Sequence, residues 1–264
     1  MRSIVLVTVL AIALPALGAE TARQILDRRK ALDDGERHWD DRHQKLSFKI
    51  TDRRGGTRTR DLELSEKRYP QDERKAIVFF SAPPEVKGTS FLAFNHKGKP
   101  ADQWLYLPEL QRVRQITANT RTQSFVGTDL TYRDLDILTE MISWTEDDAA
   151  SSLRGEETVD GVACWVIDLA AKREDICYQK VTLWLGKADL VPRRIELFSD
   201  DPTPTKRITQ SDIRNVGAIP VPYQTKVETP AAGTSTAVAV ADTQFNQKLG
   251  DDSFTQAALE AGPQ

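Results

Sequence analysis

The chain has 264 residues, 39% apolar and 28% charged, with a formal charge of −3. That balance excludes a polytopic membrane protein and a wholly disordered chain, and it gives no footing for nucleic-acid binding. The length suits one large domain with a substantial core.

Residues 1–19 read as a secretory signal peptide. Arg2 is a short positive start, Ile4 to Leu17 form an apolar run broken by Pro15, and Ala16, Gly18 and Ala19 are the small residues of a cleavage site. The run is too short and wrongly flanked for a membrane span, and no cysteine stands at the cleavage point to take a lipid anchor. The expectation is an exported, periplasmic protein whose residues 20–264 form a single domain.

A helix opens that domain. Thr21 and Gln24 have capping-box spacing, Ala22, Ile25, Leu26, Arg29 and Leu32 follow a helical period, and Gly35 is a stop. From Leu46 the pattern turns to β. LSFKIT and TRTRDLEL flank Arg54-Gly55-Gly56, a hairpin signal because glycine supplies the positive φ of a tight turn. KAIVFFSAP, TSFLAF and DQWLYLP continue the series. After a helical patch, LDILTEMISW, strands resume through SLRGEETV, VACWVIDL, CYQKVTLWL, PRRIELF, KRITQSDI, PYQTKVE and TAVAVADTQF. Asp160-Gly161, Lys187-Ala188-Asp189 and Asp200-Asp201-Pro202 punctuate them, and DDSFTQAALEAGPQ ends the chain as a short helix with a frayed tail. The pattern predicts about ten short antiparallel strands with two or three helices. Val181, Leu183 and Leu185 alternate with Lys180, Thr182 and Trp184, so the sheet has one apolar and one wetter face.

Nothing in the chain resembles a catalytic constellation. There is no nucleophile elbow, phosphate-binding glycine loop or zinc helix motif. His38, His43 and His96 lack ligand spacing, and the doubled acids Asp147-Asp148, Asp200-Asp201 and Asp251-Asp252 lack that of a calcium loop. No enzyme activity, metal or cofactor is expected. Cys164 and Cys177, in an oxidising compartment, predict a cross-strand disulfide if the hairpin turns about Ala170-Ala171; two buried thiols are the alternative. Phe79, Phe91, Trp104, Tyr106, Phe125 and Trp184 read either as packed core or as cavity wall. Arg112 and Arg114 share a strand face, either solvated or available to an acidic partner or lipid head group.

WLYLPELQRVRQI, SFVGTDLTYRDL, CWVIDL, VTLWLGKADLVPRRIELF and IPVPYQTKVE together resemble the LolA-like outer-membrane lipoprotein-sorting proteins, closest to the branch associated with RND/MMPL-type transporters. The resemblance spans about Glu20 to Leu259. It implies a mainly β, antiparallel, unclosed half β-barrel of the LolA/LolB kind, of about ten to eleven strands covered by two or three α-helices. It also implies a hydrophobic cavity for acyl chains, with no cofactor. Candidates to line it are Ile25, Leu26, Phe79, Phe91, Trp104, Tyr106, Phe125, Leu138, Ile142 and Trp184. Arg29, Arg112 and Arg114 are candidates for partner or head-group docking, and Arg29 for the arginine that fastens the helical lid. The implied partners are lipidated protein or lipid cargo, an inner-membrane transporter and an outer-membrane acceptor, with transient contact at a membrane surface and a monomeric carrier. The rival readings are an accessory subunit of an exporter handling a hopanoid-like or other apolar molecule, and a periplasmic hydrolase or structural envelope protein.

Overall fold

A computed structural model describes residues 20–141, 144–174 and 176–263. The predicted signal peptide lies outside the described residues. Helix α1 (Ala22–Asp34) begins at the predicted capping box, with Thr21 and Gln24 exchanging side-chain and backbone hydrogen bonds, and is stopped at Gly35. Strands β1 (Asp41–Thr51), β2 (Thr57–Arg68), β3 (Arg74–Ala82), β4 (Ser90–His96), β5 (Lys99–Leu107) and β6 (Arg112–Gln115) follow. Helix α2 (Tyr132–Glu140) precedes β7 (Ala149–Val159), β8 (Val162–Ala171), β9 (Lys180–Gly186), β10 (Pro192–Phe198), β11 (Lys206–Val216), β12 (Ile219–Thr229) and β13 (Thr234–Phe245); α3 (Gln256–Ala261) ends the chain.

Among the described residues, 13 strands form one antiparallel sheet in the order β6-β5-β4-β3-β2-β1-β13-β12-β11-β10-β9-β8-β7. Two meanders thus meet where β1 pairs with β13, and the edges β6 and β7 stay unpaired with each other, so the sheet is unclosed. The count exceeds the ten to eleven expected. The four-residue edge strand, Arg112–Gln115, carries no apolar alternation that would announce it. The predicted hairpins are present: Asp52 accepts and donates around Gly55 and Gly56, and Asp160 and Gly161 take φ of 47° and 81° to join β7 to β8.

Among the described strands, β6 and β7 are the one consecutive pair that do not lie side by side in the sheet. The described residues between them, 116–141 and 144–148, cross the interior face of the sheet. Phe125 sits among Phe80, Phe91 and Tyr132, at ring-centroid distances of 5.8, 5.1 and 5.7 Å. The Asp129 backbone N–H donates to Thr236 on β13 at 2.9 Å. Helix α2 starts three residues earlier than its apolar patch suggests, because Thr131 and Asp134 form a second capping box.

Strand alternation divides the core between two faces. On the interior face, α1, α2 and the crossing segment pack on β8–β12 through Ile25, Ile137, Ile167, Leu183 and Ile195, and on β1–β5 through Leu62, Val78, Phe91 and Phe125. On the outer face, Phe254, Ala258 and Leu259 bring α3 against Ile77 and Leu92.

The cysteines do not bridge. Cys164 stands opposite Gly186, and Cys177 lies before β9, in the connection that turns the hairpin. The turn falls after Ala171, not about Ala170-Ala171, so the two are separated along the hairpin. Their side chains also face opposite ways: Cys164 packs with Val166 and Trp184 outside, and Cys177 against the interior cluster. Both are free thiols. Burial pushes the Cys164 thiol up, and that of Cys177 to about 12.

Candidate functional site

Between the interior face and its helical cover lies a cavity of about 500 Å³. Register explains its character. Strand partners directly opposite one another share a face, and four adjacent strands run from polar to apolar in the same direction. Arg42, Gln44, Leu46 and Phe48 on β1 lie beside Glu66, Leu64 and Leu62 on β2, which lie beside Ala76, Val78 and Phe80 on β3; Ala93 and Phe91 continue on β4. Except for Phe80, all of these line the cavity. Leu130, Leu135, Leu138, Ile195, Ile208 and Val227 line it from the crossing segment, α2 and the second meander.

The polar end is built around Trp39, which is 9% exposed. The guanidinium carbons of Arg42, Arg68 and Arg74 lie 5.1, 5.4 and 5.8 Å from its ring centroid, a geometry in which the ring face attracts cations. Glu66 is buried beneath them, accepting from Arg42 and, at 3.4 Å, from Arg74. Burial opposes its ionisation, but the two arginines outweigh that and hold the carboxyl below its ordinary range. Arg68 donates to the Asp33 carbonyl and the Asp34 carboxylate at 3.1 and 3.2 Å, tying β2 to the end of α1. Arg29 reaches in from α1 with its side chain 12% exposed, 3.7 Å from Asp33. Its burial lowers the guanidinium's affinity for its proton, Asp33 works against that, and Arg37 and Arg74 add to the lowering.

The candidate residues therefore separate. Phe91, Phe125, Leu138 and Arg29 line the cavity. Ile25 and Leu26 instead seat α1 on the neighbouring core cluster, and Ile142 lies outside the described residues. Phe79, Trp104 and Tyr106 occupy the outer face beneath α3, and Trp184 the outer face at Cys164, where its indole N–H donates to Glu157 at 2.9 Å. These four fall away from the cavity because strand alternation turns them outward: Phe79 alternates with Val78, which lines the cavity, and Trp104, Tyr106 and Trp184 alternate with Leu105, Leu107, Leu183 and Leu185 of the interior clusters. Arg112 and Arg114 are exposed on the edge strand β6, away from the cavity lining. Sequence reading missed Trp39, Arg37, Arg42, Arg68 and Arg74; the signal available was the same-face series Arg42, Gln44, Leu46, Phe48.

An open antiparallel sheet with helices over an interior cavity defines the class. The fold matches a structure from Vibrio parahaemolyticus described as an outer membrane lipoprotein-sorting protein domain, with a TM-score of 0.80 and 24% identity over 90% of this chain and 98% of that one. A DUF1329 family protein from Desulfovibrio piger matches with a TM-score of 0.81 and 24% identity over 90% and 97%. A LolA superfamily protein from Nitrosomonas europaea matches with a TM-score of 0.67 and 19% identity over 91% and 100%. At these identities the likeness establishes a LolA-like fold. No curated protein sequence matches the chain. Residues 72–261 match the model of a family described as uncharacterized protein, DUF1329, and the chain belongs to that family.

Proposed function

We propose that the protein is a non-enzymatic periplasmic carrier that takes up acyl chains of lipoproteins or other lipids in this cavity and delivers them toward the outer membrane. The observation that carries the reading is the cavity, about 500 Å³ with largely apolar walls between the sheet and its helices. An acyl chain gains ~0.8 kcal/mol per methylene on leaving water, roughly 13 kcal/mol for sixteen carbons. A carrier must supply that shelter and then release it, which a wall of strands under displaceable helices does. The description of the Vibrio relative as lipoprotein-sorting supports the same reading.

The test is lipid extraction and mass spectrometry of protein purified gently from the periplasm, beside a Leu64→Trp variant. Leu64 lines the cavity and is only half-buried, so the indole fills space without breaking the core. Acyl-bearing cargo on the wild type, reduced at least tenfold on the variant, is the expected result. Equal cargo on both removes the cavity from the function.

A further inference from the structure

The cavity is amphipathic along its length, and its polar end is unbalanced. Five arginines line it, Arg29, Arg37, Arg42, Arg68 and Arg74, against two carboxylates, Asp33 and Glu66. Asp34 neutralises Arg68 from outside the lining, which still leaves an excess of positive charge, on a chain whose overall charge is −3. Arg42 and Arg74 are committed to Glu66. Arg29 and Arg37 are not committed. Among the described residues, the Arg29 side chain has only its 3.7 Å pairing with Asp33, and the Arg37 guanidinium donates to no side chain or carbonyl, although the Arg37 backbone N–H donates to the Leu32 carbonyl at 2.8 Å. The buried Nε of Arg42 also has no acceptor. Gathering like charges in a partly dry site is unfavourable unless an anion joins them, and guanidinium forks match carboxylate and phosphate oxygens two at a time.

Size limits what hangs from that anion. A methylene takes up about as much room as a water molecule, ~30 Å³, so about 500 Å³ holds on the order of sixteen carbons. From Arg42 to Phe48 the β1 wall runs roughly 20 Å, comparable with the ~15 Å of one leaflet's hydrocarbon. We infer that the cargo site takes an amphiphile with one acyl chain in the apolar part and an anionic head, phosphate or carboxylate, on Arg29 and Arg37. This deepens the carrier reading and rests on it.

Titration calorimetry of the mature chain below micellar concentrations tests it, with lysophosphatidylglycerol and oleate as anionic probes and lysophosphatidylcholine and monooleoylglycerol as uncharged or zwitterionic ones. Each anionic probe is expected to bind at least tenfold more tightly than the others, and whichever of the two binds better identifies the head group as phosphate or carboxylate. In an Arg29→Gln/Arg37→Gln variant, checked for an unchanged circular dichroism spectrum, that ratio falls toward one. The single variant Arg37→Gln, at a half-exposed position, gives a partial fall and covers the case in which the double variant does not fold. Equal affinity for all four probes in the wild type, or a preference that survives both variants, overturns the inference and leaves the carrier reading standing. Binding undiminished by Leu64→Trp overturns the carrier reading itself, and with it this deeper one.

Discussion

Asp129 shows how single residues hold the crossing segment over the interior. Its carboxylate accepts from Thr229 at 2.9 Å, from Thr236 at 2.8 Å and from Thr234, and its carbonyl accepts from Lys206. The residue is 6% exposed and Thr236 wholly buried, so the Thr236 hydroxyl depends on this one acceptor, while Thr229 and Thr234 are half-buried. Removing it leaves the buried Thr236 donor unsatisfied and takes the acceptor from two half-buried ones, which costs more than one hydrogen bond alone contributes. Asp129→Ala is expected to lower unfolding free energy by about 3 kcal/mol, and Asp129→Asn, which keeps one carbonyl acceptor, by about 1 kcal/mol. Urea denaturation followed by tryptophan fluorescence measures both. A loss below about 0.5 kcal/mol for the alanine variant would show that the threonines find other partners and that the segment is not fastened there.

At the scale of elements, α2 is clamped to β5 through Asp136. Its carboxyl accepts from Gln103 and Arg121, both at 2.6 Å, and Gln103 also donates to the Tyr132 carbonyl at 3.0 Å. Burial raises the Asp136 carboxyl to about 7; Arg121 and Arg133 pull the other way and Glu140 adds to the rise. The folded protein therefore holds a proton that the unfolded chain releases near its ordinary value, 3.8. Stability from this group is present at low pH and is lost as pH rises from about 4 to about 7, with a slope approaching ~1.4 kcal/mol per pH unit. Asp136→Asn removes that slope, so the difference between variant and wild-type unfolding curves should change across this window; a constant difference would refute the shift. Elements of this kind were partly legible beforehand. The α1 capping box, the glycine turns and the long alternating strands are local, and local chemistry writes them into neighbouring residues. The face each strand turns inward is not local. Phe79 and Val78, or Trp104 and Leu105, offer equally apolar choices, and only pairing register decides which turns to the interior face. The cysteine pairing failed for the same reason, since it needed the position of the hairpin turn.

Over the whole molecule, an uncollapsed interior has to be kept open by something, and the wall shows how. Ala76 on β3 stands directly opposite Ala93 on β4, both facing the cavity, in strands whose other apolar residues, Ala82 apart, are valine, isoleucine, leucine and phenylalanine. Two small residues side by side remove the volume that would close the space between the sheet and α2. A leucine at each adds three carbons, together on the order of 180 Å³ at ~30 Å³ per carbon, against a cavity of about 500 Å³. The added side chains bury apolar surface in space already present, so the Ala76→Leu/Ala93→Leu variant is expected to melt at or above the wild-type temperature, while loading of an acyl probe falls at least tenfold. Stability and loading then move in opposite directions, as expected where a site is held less than optimally packed for function. Thermal melts beside probe titration decide it. Loading that persists in a fully folded variant would mean that the acyl chain lies elsewhere along the wall, whereas lowered stability would mean that the alanines are required by packing and not by the cavity.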